Sequence, residues 1–177
     1  MKCSDAGRAL IMQCEGCQLE AYHGAADRPG LYTIGYGHTG GVRPGQSITK
    51  EEAIRLFNKD LHVVEAALST DLCDGRKRQL VNQHQFDALC SFVYNLGFSA
   101  YLNSTLRKKI HNGDYAGAAQ EFPKWCYANH VKVNGLYRRR IAEQQMFLQS
   151  GQADIAALLL GMMLAGAAVL VAMIFVM

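Results

Sequence analysis

At 177 residues the chain suits a single domain with room for a cleft between two lobes. Its 18 lysines and arginines against 15 aspartates and glutamates give a net charge of +3, which fits an anionic polymer or an ordinary solvated surface and makes no case for nucleic acid. Half of the residues are hydrophobic, but the last 23, residues 155–177, carry no charged side chain, so the body is more polar than that average.

Ser4, Asp5, Ala6 and Gly7 can open a helix whose apolar positions Leu10, Ile11 and Cys14 recur at three and four residues, with Glu15 at its end. No charged-then-apolar leader precedes it, so this reading places no export signal at the N-terminus. Asp27, Arg28, Pro29 and Gly30 are turn chemistry, which sets Asp27 at a hairpin tip or strand end. From Tyr32 onward the period is two. Tyr32, Ile34, Tyr36 and His38 share one face of a predicted strand, and Thr33, Gly35, Gly37 and Thr39 share the other. Two glycines on that second face imply the close approach of a ligand or another backbone, so the bare face can floor a cleft.

After a turn at residues 43–46, Thr49 to Glu52 reads as a capping box. A long helix should follow, with Ala53, Leu56, Phe57, Leu61, Val64 and Leu68 on one stripe, as a spine between two lobes. Asp74 and Gly75 mark a turn, and the dense apolar run from Leu80 to Leu96 predicts a core helix buried on most sides and closed by Gly97. Beyond it the spacing predicts a short basic helix over 106–111, another over 114–122, a loop over 129–136 and a last helix over 137–148, behind Arg138, Arg139 and Arg140.

Glycoside hydrolysis needs two carboxylates beside a cleft: a protonated one for the leaving oxygen and an ionised one for water or the developing cation. Glu15 and Asp27 are the candidates, with Thr33 on the bare face of the strand. A surface glutamate, a turn aspartate and an ordinary strand threonine fit the same spacing, and spacing alone does not choose between the two readings.

Glu15 and Gly16 with Leu19, Ala21 and Tyr22, followed by the run Thr33, Ile34, Gly35, Tyr36, Gly37, His38 and Thr39, resemble the phage-type lysozymes, or endolysins, of glycoside hydrolase family 24. The resemblance covers roughly residues 5–150. It extends to the run from Tyr94 to Gly97, Trp125, and Gly135 and Leu136 with the three arginines. It implies an α+β, lysozyme-like fold in which a small β-hairpin lobe is joined by a long helix to a larger helical lobe. It also implies cleavage, with inversion, of β-1,4 bonds between N-acetylmuramic acid and N-acetylglucosamine in peptidoglycan, without metal or organic cofactor. By the same resemblance Glu15 is the general acid, Asp27 positions water or steadies the transition state, and Thr33 binds that water. Tyr94, Asn95, Lys124 and Arg138 would face the sugar from the helical lobe. The family usually leaves eight residues between acid and aspartate, whereas eleven, residues 16–26, separate Glu15 from Asp27. The five residues between Asp27 and Thr33, residues 28–32, keep the family interval, so Asp27 is assigned from the threonine side, with Glu20 and His23 as weaker substitutes.

His38 on the bulky face reads as structural, with Asp60 of the long helix as its partner. The six cysteines show no metal pattern and read as buried free thiols, although Cys14 and Cys17 flank the acid, where a disulfide could misplace it. The apolar run 155–177 would reach about 34 Å as a helix at ~1.5 Å per residue, enough to cross a ~30 Å hydrocarbon layer. Ala157, Gly161 and Ala165 give it a small-residue face that can pair helices in lipid. The expected organisation is therefore a catalytic domain over 1–150 and a membrane anchor over 151–177. The protein would lie in the host cytoplasm or on the inner membrane before lysis and act on the periplasmic wall. A lytic transglycosylase and a non-catalytic wall-binding or membrane-permeabilising protein are the rival readings.

Overall fold

The computed structural model of the chain describes residues 1–24, 30–75 and 79–149; Asp27 and the apolar run 155–177 lie outside the described residues. The first element, α1 (Asp5–Glu15), starts where Ser4 takes an extended conformation and its side chain accepts the Gly7 N–H. Its N-terminus is pinned twice. Asp87 accepts the Ser4 N–H at 2.8 Å, and the buried Glu65 accepts the Cys3 N–H at 2.9 Å. Gly7 lets α1 lie close to its neighbour, since a Cβ there would meet Cys3 Sγ at 2.6 Å and Asp87 Cβ at 2.7 Å. With its start fixed, an eleven-residue helix of ~1.5 Å rise delivers Glu15 to a set place.

Strands β1 (Gln18–Tyr22) and β2 (Thr33–Gly35) pair antiparallel, with Gln18 opposite Gly35 and Tyr22 opposite Thr33. The far edge of β1 is met by the chain at 46–48 through Ala21 N–H to Gln46 O (2.8 Å) and Ile48 N–H to Leu19 O (2.9 Å). The predicted strand from Tyr32 to Thr39 is corrected here. Strand β2 is only three residues long, because the chain turns back on itself and Ile34 bridges His38, each N–H bonding the other's carbonyl at 2.9 Å. Gly35 and Gly37, at φ +64° and +84°, supply the left-handed backbone that this reversal requires. The two glycines therefore make a turn, not one bare face.

Helix α2 (Lys50–Asp71) buries Ala53, Phe57, Leu61 and Leu68 along the predicted stripe. Thr49 caps it by accepting the Glu52 N–H, but the Glu52 carboxylate turns to Arg55 instead of completing the box. The reciprocal box lies at the next helix, α3 (Gln83–Leu96), between Asn82 and Gln85. In α3, residues 85–93 are buried without a break, because α1 and α2 both pack on it. Helices α4 (Phe98–Leu102), α5 (Thr105–His111) and α6 (Tyr115–Ala119) follow, and Tyr101, Leu106, Ile110 and Phe122 join the core with Phe86, Phe92 and Phe147.

Two further expectations change. The helix over 114–122 is split into α6 and a 3-10 turn (Phe122–Lys124), with Pro123 just inside the turn. The loop over 129–136 is a hairpin of β3 (Tyr127–Ala128) and β4 (Val131–Lys132), turned through Asn129 and His130 at positive φ, and helix α7 runs over 134–149. The architecture is α+β, mostly helical with two small antiparallel sheets. Among the described residues no helix is long and apolar enough to cross a membrane.

Candidate active site

Glu15 ends α1 on the wall of a cavity of about 510 Å³, shared with Gln13 and Cys14 of α1, Asn95 of α3, and Arg138 and Arg139 of α7. Its Oε1 accepts a 2.6 Å hydrogen bond from Nη1 of Arg139, whose side chain is only 5% exposed against 18% for Glu15. Arg139 is locked in turn by α3 and by its own helix. Nη2 donates to the Ser91 carbonyl at 2.9 Å, and Nε donates to Glu143 Oε1 at 3.2 Å. Ser91 Oγ donates to the same Glu143 oxygen at 2.7 Å. Beside them, Arg140 stacks over the Phe92 ring at 5.1 Å and donates to Asn95 Oδ1 at 2.9 Å.

Burial dominates the electrostatics of this group. It pushes the Glu143 carboxyl up from its ordinary value against the pull of Arg140 and Arg139. It works to lower both guanidiniums. Arg139 nevertheless ends higher, because Glu15 and Glu143 both face it, while Arg140, beside a second cation, ends lower. Burial likewise raises the Cys14 thiol, so the exposed cysteine beside Glu15 is not an activated one.

The hairpin lobe meets Glu15 at Gly37, where a Cβ would lie 3.1 Å from Glu15 Oε2 and 3.9 Å from the Tyr94 ring. Glycine is needed there for room as well as for its φ of +84°. Tyr94 donates its hydroxyl to the Tyr36 carbonyl at 2.8 Å, and its ring packs on Phe57, tying α3 to the turn that faces Glu15. Burial raises its phenol above the usual range.

The expected site residues divide into groups. Glu15, Asn95 and Arg138 line one cavity, and Tyr94 stands next to it across Gly37. Thr33 is buried at the start of β2 and is not among the lining residues, and Lys124 is engaged with Glu121 at 2.9 Å away from that wall. Of the substitutes for Asp27, Glu20 is exposed and bridges Ser47, while the His23 ring lies 2.9 Å from the Leu31 carbonyl. The buried His38 faces two acceptors, Asp60 Oδ2 at 2.7 Å and the Gly40 carbonyl at 2.9 Å, and so joins the hairpin lobe to α2. The thiols are less buried than expected: Cys14 is exposed, and Cys17 and Cys73 are half-buried.

Reading the sequence missed Arg139 and Glu143. Arg138, Arg139 and Arg140 stand in a row, and only the packing shows that the first is exposed while the other two are buried. The usable signal was Glu143 four residues after Arg139, a carboxylate on the face that a buried arginine would share.

The family model for phage lysozyme matches residues 12–143. The chain belongs to the phage lysozyme family. It is 41% identical over 151 residues to the endolysin of Acyrthosiphon pisum secondary endosymbiont phage 1, covering 83% of this chain and 98% of that one. It is 37% identical to the endolysin of Salmonella phage P22, over 84% of this chain and 99% of that one. Among solved structures, the muramidase domain of SpmX from Asticaccaulis excentricus is similar at a TM-score of 0.73 and 32% identity, covering 83% of this chain and 97% of that chain. The family match spans the Glu15 cavity and the Arg139 cluster alike. The enzyme is a muramidase of the endolysin type, acting on bacterial peptidoglycan.

Proposed function

We propose that the enzyme hydrolyses the β-1,4 bond between N-acetylmuramic acid and N-acetylglucosamine as a member of glycoside hydrolase family 24, with Glu15 as the general acid. One observation carries this reading: the Glu15 side chain is fixed in aim at 2.6 Å by a buried arginine on the wall of an open cavity, within reach of a bound polymer. Asp27 and Thr33 handle the attacking water, and the reaction inverts the anomeric centre, as expected of a water-mediated carboxylate pair. Asn95 and Arg138, on the same wall as Glu15, contact the glycan, with Tyr94 beside them across Gly37 as a further contact of the helical lobe.

Glu15→Gln should abolish release of reducing ends from purified peptidoglycan; undiminished cleavage would move the acid elsewhere. Anhydro-sugar products from the unaltered enzyme would instead assign it to the transglycosylases. The run 155–177 anchors the enzyme at the host inner membrane until lysis, with Ala157, Gly161 and Ala165 available to pair helices. The full chain should sediment with membranes and a form ending at Ser150 should not; identical fractionation would remove the anchor.

A further inference from the structure

The Arg139 guanidinium does not serve Glu15 alone. It gives Nη1 to Glu15 at 2.6 Å, Nη2 to the Ser91 carbonyl at 2.9 Å and Nε to Glu143 at 3.2 Å, so that one cation stands between two carboxylates from different helices. Glu143 has no exposed side-chain surface, and it is oriented from three directions, by Ser91 Oγ, Arg139 Nε and Arg140 Nη2, all on its Oε1. A charged side chain so placed costs free energy to bury, and three donors converging on one of its oxygens fix it closely. It lies behind the arginine, outside the cavity wall, so it does not touch substrate.

We propose that Glu143 is a positioning residue for the general acid: by holding Nε of Arg139 and sharing its charge, it aims the guanidinium at Glu15 while leaving Glu15 able to carry the proton it must donate. This rests on the assignment of Glu15 as the acid. Two effects follow from the geometry. Without the Nε bond, Arg139 is free to rotate about the Ser91 anchor, and the aim of the Glu15 carboxylate loosens. Without the second carboxylate, the whole charge of Arg139 falls on Glu15 and favours its ionised form. The groups facing Glu143 are Arg139 and Arg140 from α7, Ser91 from α3 and Cys14 from α1, and those facing Glu15 are Arg139 from α7, Tyr94 from α3 and Cys14 of its own helix. Only the two arginines oppose the charge of Glu143.

The test is the pH profile of peptidoglycan hydrolysis for the full-length wild type, Glu143→Gln, Glu143→Asp and Glu15→Gln, each checked for folding by circular dichroism. Glu143→Gln keeps the shape and removes the charge, and the basic limb of its profile should move to lower pH by roughly one unit, a tenfold change in proton affinity. Glu143→Asp keeps the charge but withdraws it by one methylene, and its limb should fall between the other two. If Glu143→Gln does not fold, the aspartate variant decides by the sign of its shift. A merely structural role would lower the amount of folded enzyme and leave the limb in place, so an unmoved limb in the folded variants overturns the proposal. An active Glu15→Gln would overturn the acid assignment itself, whatever Glu143 does.

Discussion

Two carboxylate–arginine clusters in this enzyme are built from similar parts and are satisfied to different degrees. At the end of α2, Asp71 accepts from Arg107 Nη2 and Nε at 2.6 and 2.8 Å on one oxygen, and from Tyr101 and His111 at 3.1 Å each on the other. At the end of α1, Glu15 and Glu143 share Arg139, and the only buried side-chain polar atoms without a hydrogen-bond partner among the described residues belong to this cluster: Nε and Nη1 of Arg140 and Oε2 of Glu143. The first cluster fastens α4 and α5 to α2. The second leaves buried polar atoms without partners, which costs stability.

The sharpest way to break this contrast is Arg139→Met. It leaves Glu15 and Glu143 without their common cation, and loss of one partner from a buried pair should lower stability by ~3–5 kcal/mol and abolish hydrolysis. Urea denaturation and release of reducing ends measure the two losses. A variant with wild-type activity would show that the grip on Glu15 is incidental.

Gly37→Ala separates site from scaffold. A methyl 3.1 Å from Glu15 Oε2, at a φ of +84°, should cost about 1–2 kcal/mol of stability. If Glu15 is the acid proposed above, it should also lower kcat/KM by roughly 10²-fold, since a displacement of about 1 Å at the reacting group is enough for such a loss. A fall in stability with unchanged kcat/KM would mean that the turn does not crowd Glu15 in solution.

The smallest effect on activity belongs to the satisfied cluster. Asp71→Asn should destabilise by about 1–3 kcal/mol and leave the pH profile of hydrolysis unchanged. Burial works to raise the Asp71 carboxyl, but the hydrogen bonds from Arg107, His111 and Tyr101 outweigh it and the net direction is down. With the native value below the unfolded one, its stabilisation is complete above about pH 4 and is lost as the pH falls through the lower native value. The gap in stability between wild type and variant should therefore close in acid, as read by thermal melts at several pH values.

Much of the scaffold was legible because it is locally encoded. The Ser4 cap and the three-and-four spacing set α1 and put Glu15 at its end, the stripe from Ala53 to Leu68 set α2, and the unbroken apolar run set α3. The failures were also local in cause. Gly35 and Gly37 can serve a strand face or a reversal equally well, and only the pairing of Ile34 with His38 shows which. In the same way, Asn129 and His130 accept positive φ because β3 and β4 close around them.

By itself, then, the chain determined its capped helices, its core stripes and a glutamate at a helix end, because these depend on neighbours within one or two turns. Only the tertiary structure decided which of three consecutive arginines meets that glutamate across 124 positions, and that a second carboxylate shares it. Periodicity records which side of a helix is buried. The partner of a buried charge is fixed by how separate helices pack, and no local spacing carries that information.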